Sequence, residues 1–208
     1  VIDMCKNIPD AQAEIPVGYH QDQEGNCFPD QNQCGEKTLD VVSDDTNQVD
    51  GGNATVIGSP NGAWATLSGA SWIWNNLVDF MGGTQQTKTF TKSFTVVGNP
   101  TSASLEVAAD NGFVGTINGN GGGVIADPGE FNYGATKNYD VLTYITTGLN
   151  NISFDVTNLA VADSDFNSNP AGLLYKLHVV SNDCPEEPTT GTLHVKKVIV
   201  NSQVSAST

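Results

Sequence analysis

Thr89-Phe90-Thr91-Lys92-Ser93-Phe94-Thr95-Val96 is the stretch that decides the fold. Apolar and polar side chains alternate along it, so Phe90, Phe94 and Val96 fall on one face, with Lys92 intruding among them. A period of two marks a strand with one buried and one wet face. Ser104-Leu105-Glu106-Val107-Ala108 repeats the pattern. Outward from these two segments, the chain beyond Thr38 is a series of short runs rich in Val, Ile, Thr and Phe, separated by Gly, Asn, Asp and Pro clusters. That is strand punctuation. Strands are expected near 38–42, 53–57, 71–74, 87–97, 102–109, 112–117, 139–144, 148–156 and 173–180. No window holds a capped apolar stripe of helical period, and the stretch 71–81 is too aromatic and Asn-rich to be a helix. Many short, evenly spaced strands predict an all-β fold, a jelly-roll β-sandwich over residues 38–184.

The flanks read differently. Residues 1–37 carry Pro9, Pro16 and Pro29 with little periodicity, a loop-rich, Cys-bounded module. The four cysteines, Cys5, Cys27, Cys34 and Cys184, include no C-x-x-C pair, so neither a zinc ribbon nor a redox motif is indicated. Two disulfides are the simplest reading; of three connectivities, loop lengths favour Cys5 with Cys27 and Cys34 with Cys184. The second would tie the sandwich's start to its end and remove about 4 to 5 kcal/mol of unfolded-chain entropy. Oxidised pairs imply an extracellular or periplasmic protein. Residues 185–208 open with Pro185-Glu186-Glu187-Pro188, an acidic linker, and continue as Thr192-Leu193-His194-Val195-Lys196-Lys197-Val198-Ile199-Val200. This is an extension strand with no partners left in the chain. It is expected to pair elsewhere, for a lone strand is unstable.

Composition narrows the function. Among 208 residues there are 23 Asp and Glu against 8 Lys and no Arg, a net charge of -15. Phosphate neutralisation needs clustered cations, so nucleic acid is excluded as a partner. No run approaches the ~18 apolar residues of a membrane span, and no charged-then-apolar signal segment opens the chain.

A series of segments then carries a resemblance: Ala70-Ser71-Trp72-Ile73-Trp74, the 89–96 strand, Leu105-Glu106-Val107-Ala108-Ala109-Asp110-Asn111, Ile117-Asn118-Gly119, Leu149-Asn150-Asn151-Ile152-Ser153-Phe154-Asp155-Val156 and Pro170-Ala171-Gly172-Leu173-Leu174-Tyr175-Lys176-Leu177. Together, over residues 38–181, they resemble the galactose-binding-like jelly roll of glycosidases and bacterial surface proteins. Cys5-Lys6-Asn7-Ile8-Pro9 with Gly25-Asn26-Cys27 is similar to a short module of large secreted bacterial proteins. Gly191-Thr192-Leu193-His194-Val195-Lys196-Lys197 resembles the first strand of a transthyretin-like repeat of surface adhesins and pilus shafts. The resemblance implies a cell-surface location and further domains of the same chain. It also raises an isopeptide at Lys196 or Lys197, for which no partner residue can be named.

Several residues are candidates for binding. Asp163, Asp165 and Asn167 alternate along one loop as Ca²⁺ ligands do, and Asp44 in a second acidic loop is placed to share the ion. The resemblance implies one structural Ca²⁺ near the ends of the first and last strands. Trp64 is expected to be an exposed ring for sugar stacking, whereas Trp72 and Trp74 read as core. Asp110, Asn111 and Asn118 lie in loops where the resemblance places ligands. His20, His178 and His194 are scattered, and no nucleophile elbow is present, so no enzyme is expected. Two functions remain. One is a non-enzymatic structural or adhesive module of a cell-surface or filament protein, polymerising by strand addition through Leu193, Val195 and Ile199. The other is a calcium-stabilised carbohydrate-binding module whose partner is a glycan.

Overall fold

The computed structural model describes residues 3–29, 35–76, 85–160 and 169–183. They fall into two compact units that divide at Pro29. In the first, β1 (Tyr19–Gln21) pairs with β2 (Cys27–Pro29), and Cys5 and Cys27 form the expected disulfide. These two half-cystines are the only buried residues among those described in this unit. A segment without an apolar core needs such a staple. Asn7 reinforces it by donating to the Cys27 carbonyl and accepting from the Cys27 N–H, at 2.8 and 2.7 Å.

The second unit is an all-β sandwich, and among the described residues it contains no α-helix. Its strands are β3 (Glu36–Val42), β4 (Gln48–Val49), β5 (Gly52–Asn53), β6 (Thr55–Val56), β7 (Ile73–Trp74), β8 (Gln86–Val96), β9 (Asn99–Asp110), β10 (Gly112–Ile117), β11 (Ala126–Asp127), β12 (Lys137–Asp140), β13 (Gly148–Asn158) and β14 (Gly172–Asn182). One antiparallel sheet runs β11-β10-β13-β8-β4-β5; the other runs β12-β9-β14-β7-β6, with β3 also paired to β14. From β8 onward the long strands alternate between the sheets, the path of a jelly roll. The core lies between them. Phe90, Phe94 and Val96 of β8 and Ile152, Phe154 and Val156 of β13 face Leu105, Val107, Tyr175 and Leu177 of the other sheet. The Phe154 and Tyr175 rings meet at 4.8 Å across the layer.

Lys92 occupies an inward position, yet its ammonium escapes the core by reaching the Val42 carbonyl (2.8 Å) and both oxygens of Asp44. A long aliphatic stem allows this, covering apolar surface while the charge is paired with Asp44. Two expected strands come out differently. The 53–57 run splits between sheets, because the Ala54 N–H bonds back to the Asn47 carbonyl and ends the β4–β5 hairpin. The 139–144 run stops at Asp140, whose carboxylate accepts the Leu142 N–H at 3.1 Å and starts a single 3₁₀ turn over Leu142–Tyr144. A short acidic side chain competes with the ladder in this way. β4 and β11 were not expected; strands of two residues show no periodicity.

Candidate binding site

β9 ends in one sheet at Asp110, and β10 begins in the other at Gly112. The corner between them carries Asp110 and Asn111 at one end of the sandwich. Asn111 is a stitch: its N–H reaches the Thr157 carbonyl (3.0 Å), its amide donates to the Glu130 carbonyl (3.0 Å), and its Oδ1 accepts the Leu159 N–H (2.8 Å). That side chain holds three segments together and has little capacity left for a ligand.

Asp110 is different. It is 4% exposed, and Trp64 Nε1 donates to its Oδ2 at 2.9 Å, the only hydrogen bond to this carboxyl among the described residues. Burial, opposed only in part by that donor, pushes the carboxyl up to about 7. The indole is fixed from behind. Asn61 Oδ1 accepts the Ala63 N–H (2.9 Å) and the Asn61 carbonyl accepts the Trp64 N–H (2.9 Å), an Asx-type turn that sets the ring's entry. The ring then lies 4.2 Å from Trp72. Both indoles rest over Gly172, where a Cβ would sit 2.8 Å from Trp72 and 3.1 Å from Trp64. The absent side chain at 172 is what admits the stack.

A loop after β11 closes the other wall. Asn132 Nδ2 donates to the carbonyls of Asp127 and Gly129, each at 3.0 Å, and the Ala65 N–H binds the Tyr133 carbonyl at 2.7 Å. The Gly129 N–H and the Lys137 ammonium hold the Asp127 carboxyl below its usual range. Phe131 projects from this loop 72% exposed, edge-on to Tyr133 at 6.2 Å. The result is an open cavity of about 250 Å³ whose lining includes Asn61, Trp64, Asp110, Asn111, Glu130, Phe131 and Tyr133. Polar groups beside aromatic rings in a concavity suit a small polar ligand with an apolar face.

The structure thus brings Trp64, Asp110 and Asn111 together but not Asn118. Asn118 sits at the other end of β10, about 20 Å away along a strand of that length. There it adopts φ 52°, donates to Asn150 Oδ1 (2.8 Å) and the Tyr144 carbonyl (3.0 Å), and accepts the Asn151 N–H (2.9 Å). It is a turn residue. Trp64 is also not the exposed ring expected; at 7% exposure it is a buried hydrogen-bond donor, and Phe131 takes the exposed position. Trp72 and Trp74 are buried, as core residues should be. Asn61, Glu130, Phe131 and Tyr133 were missed. Pro128-Gly129-Glu130-Phe131-Asn132-Tyr133-Gly134 holds two aromatics outside any alternating run, and rings with no strand to bury them were the available signal.

Asp44 is engaged. Its oxygens accept Lys92 Nζ at 2.7 and 2.8 Å and the Thr46 N–H and hydroxyl at 2.9 and 2.6 Å. Burial works to raise this carboxyl, but Lys92 and Thr46 outweigh it and the net position is below the ordinary range. Among the described residues no three His, Cys, Asp or Glu gather as a metal site. Asp163, Asp165 and Asn167 lie outside the described residues, as do Cys34, Cys184, Leu193, Val195, Lys196, Lys197 and Ile199. Asp44→Asn is expected to cost about 1 to 3 kcal/mol by stranding the Lys92 ammonium, equally in Ca²⁺ and in chelator. Urea unfolding in both conditions checks this; a loss seen only with Ca²⁺ would make Asp44 a metal ligand.

On the outer face, His178 Nδ1 meets Asp40 Oδ1 at 2.6 Å, and Lys176 reaches the same carboxylate at 2.7 Å. These donors, Lys176 first, hold Asp40 below its usual range. Among the described residues no helix is long and apolar enough to cross a membrane.

No family model matches the chain, and no curated protein matches it. Solved structures do. A family 35 carbohydrate binding module from Clostridium thermocellum is 17% identical over 69% of this chain and 98% of its own, with a TM-score of 0.38. An exo-β-1,3-galactanase from Phanerochaete chrysosporium is 18% identical over 76% of this chain, with a TM-score of 0.37. A β-(1,4)-mannanase from Podospora anserina is 13% identical over 73% of it, also at 0.37. The chain spans less than a third of either enzyme, 31% and 29% of their lengths.

Proposed function

We propose that this chain is a non-enzymatic, carbohydrate-binding and hence adhesive module of an extracellular surface protein, with the Asp110 cavity as its sugar site. The observation that carries the reading is the convergence of Asp110, Glu130 and Asn61 with the exposed Phe131 ring in one concavity. A pyranose presents an apolar C–H face and a rim of hydroxyls. Phe131 meets the first, and the carboxyls and amide meet the second. The Cys5–Cys27 disulfide supports an oxidising, extracellular setting. Ca²⁺ enters this proposal through the loop at 163–167, since Asp44 is engaged by Lys92. Strand addition through residues 192–200 rests on residues outside those described, so the glycan reading is the one with geometry behind it.

Binding to a glycan array followed by calorimetry tests it. Phe131→Ala is expected to weaken binding about tenfold, ~1.4 kcal/mol, and to leave the melting temperature unchanged because the ring is exposed. Equal binding by the variant would remove the cavity from the function.

A further inference from the structure

We infer that the cavity takes a glycan unit bearing a free ammonium group, an amino sugar, in preference to neutral, N-acylated or acidic units. The inference rests on the glycan-binding reading above and specifies its ligand. Three features on the page lead to it. Two acidic residues, Asp110 and Glu130, line the cavity, and among the described residues no lining residue carries a positive charge. Asp110 is nine-tenths buried with Trp64 Nε1 as its hydrogen-bond donor. Its ionised form therefore sits in a low-dielectric corner with no counter-charge among the described residues, an arrangement that costs free energy until a cation arrives. Finally, the rings of Trp64, Phe131 and Tyr133 line the same space, and aromatic faces attract ammonium groups.

The charged surroundings agree. Glu130, an exposed residue of the loop after β11, is among the lining residues and adds a second negative charge. Lys137, on β12, is paired at 3.2 Å with Asp127 and is not among the cavity's lining residues. Tyr133 is the remaining titratable group of the lining. A uronate would meet two carboxyls and a chain of net charge -15, whereas an ammonium is drawn in by the same field. N-acylation would remove the positive charge on which pairing with the two acids depends.

Binding should then be linked to one proton. At pH 6 the sugar amine is charged and Asp110 still holds its proton, so pairing with the ammonium ionises Asp110 and releases it, about one proton per ligand. The experiment is titration calorimetry of the full chain with the tetramers of glucosamine, N-acetylglucosamine, glucose and glucuronic acid, and with choline. Each is run at pH 6 in two buffers of different ionisation heat, with wild type, Asp110→Asn and Glu130→Gln. The expected result is at least tenfold tighter binding of the glucosamine tetramer than of the others, with proton release that Asp110→Asn abolishes and Glu130→Gln retains. Equal or tighter binding of the glucose or N-acetylglucosamine tetramer would overturn the inference and leave the glycan reading standing. Choline binding as tight as that of the amino sugar would overturn the sugar as the source of the ammonium. Binding of none of the probes would overturn the inference, and an empty glycan array beside it would overturn the glycan reading too.

Discussion

Replacing Phe154 by alanine is expected to destabilise the sandwich by about 3 to 5 kcal/mol, the range for a buried aromatic truncated to a methyl. Phe154 is fully buried at the centre of β13. It stands opposite Phe90 of β8 on one side and Gly115 of β10 on the other. Its ring packs 4.8 Å from Tyr175 across the layer and edge-on to Phe113 at 6.5 Å. Gly115 shows how closely the site is fitted, since a Cβ there would lie 2.9 Å from the Phe154 ring and 2.6 Å from Ile125. Three strands registered around one ring cannot close over the space it leaves, so the cavity term adds to the transfer term. The denaturation midpoint should fall with the slope unchanged, and the melting temperature should drop by about 10 °C. A loss below about 1 kcal/mol would mean that the core relaxes into the gap and that this ring is not its centre.

The fold was legible where side chains report their own burial. In 89–96 the face of every residue follows from the period of two, and even the intruder Lys92 could be seen; its destination, Asp44, lies 48 positions away and could not. The binding corner was legible only in part, because strand ends look alike in sequence. Asp110-Asn111 and Asn118 flank the same strand, β10, and both read as polar turns. They lie at opposite ends of the sandwich. Trp64 shows the second limit. A tryptophan after Pro60-Asn61-Gly62-Ala63 looks like a loop ring, and its burial depends on Asp110, 46 positions on, and on the empty space at Gly172. Partnerships of that separation are created by the sandwich itself. Conversely, Phe131 is exposed because the Asn132 and Asp127 bonds turn its loop outward, a local arrangement without any periodic signature.

Asp110→Asn is expected to make the protein more stable at pH 8 and nearly unchanged at pH 4. The folded state moves this carboxyl from its ordinary 3.8 up to about 7, with burial as the cause and the Trp64 N–H as the partial counterweight. Between those two values the unfolded chain has lost the proton and the folded chain keeps it. Folding therefore takes up a proton, and stability falls as pH rises. The contribution is fully present below the unfolded value and is lost as pH climbs through about 7, above which the penalty is constant. Each pH unit of that displacement is worth about 1.4 kcal/mol, so the full penalty is about 4 kcal/mol. Asparagine carries no charge to desolvate, and its Oδ1 can accept the Trp64 N–H in place of the carboxylate. Thermal melts of both proteins at pH 4, 6 and 8 separate this site from the general relief of a -15 chain on acidification, which both share. The wild type should lose ground to the variant between pH 4 and 7 and then run parallel to it. A variant less stable than wild type at pH 8 would show that the ionised carboxylate is compensated within the fold and needs no cation from outside. A stabilising variant that has lost its ligand would show the reverse: that the chain carries a buried, underpaired acid at a cost to its own stability, as functional sites do.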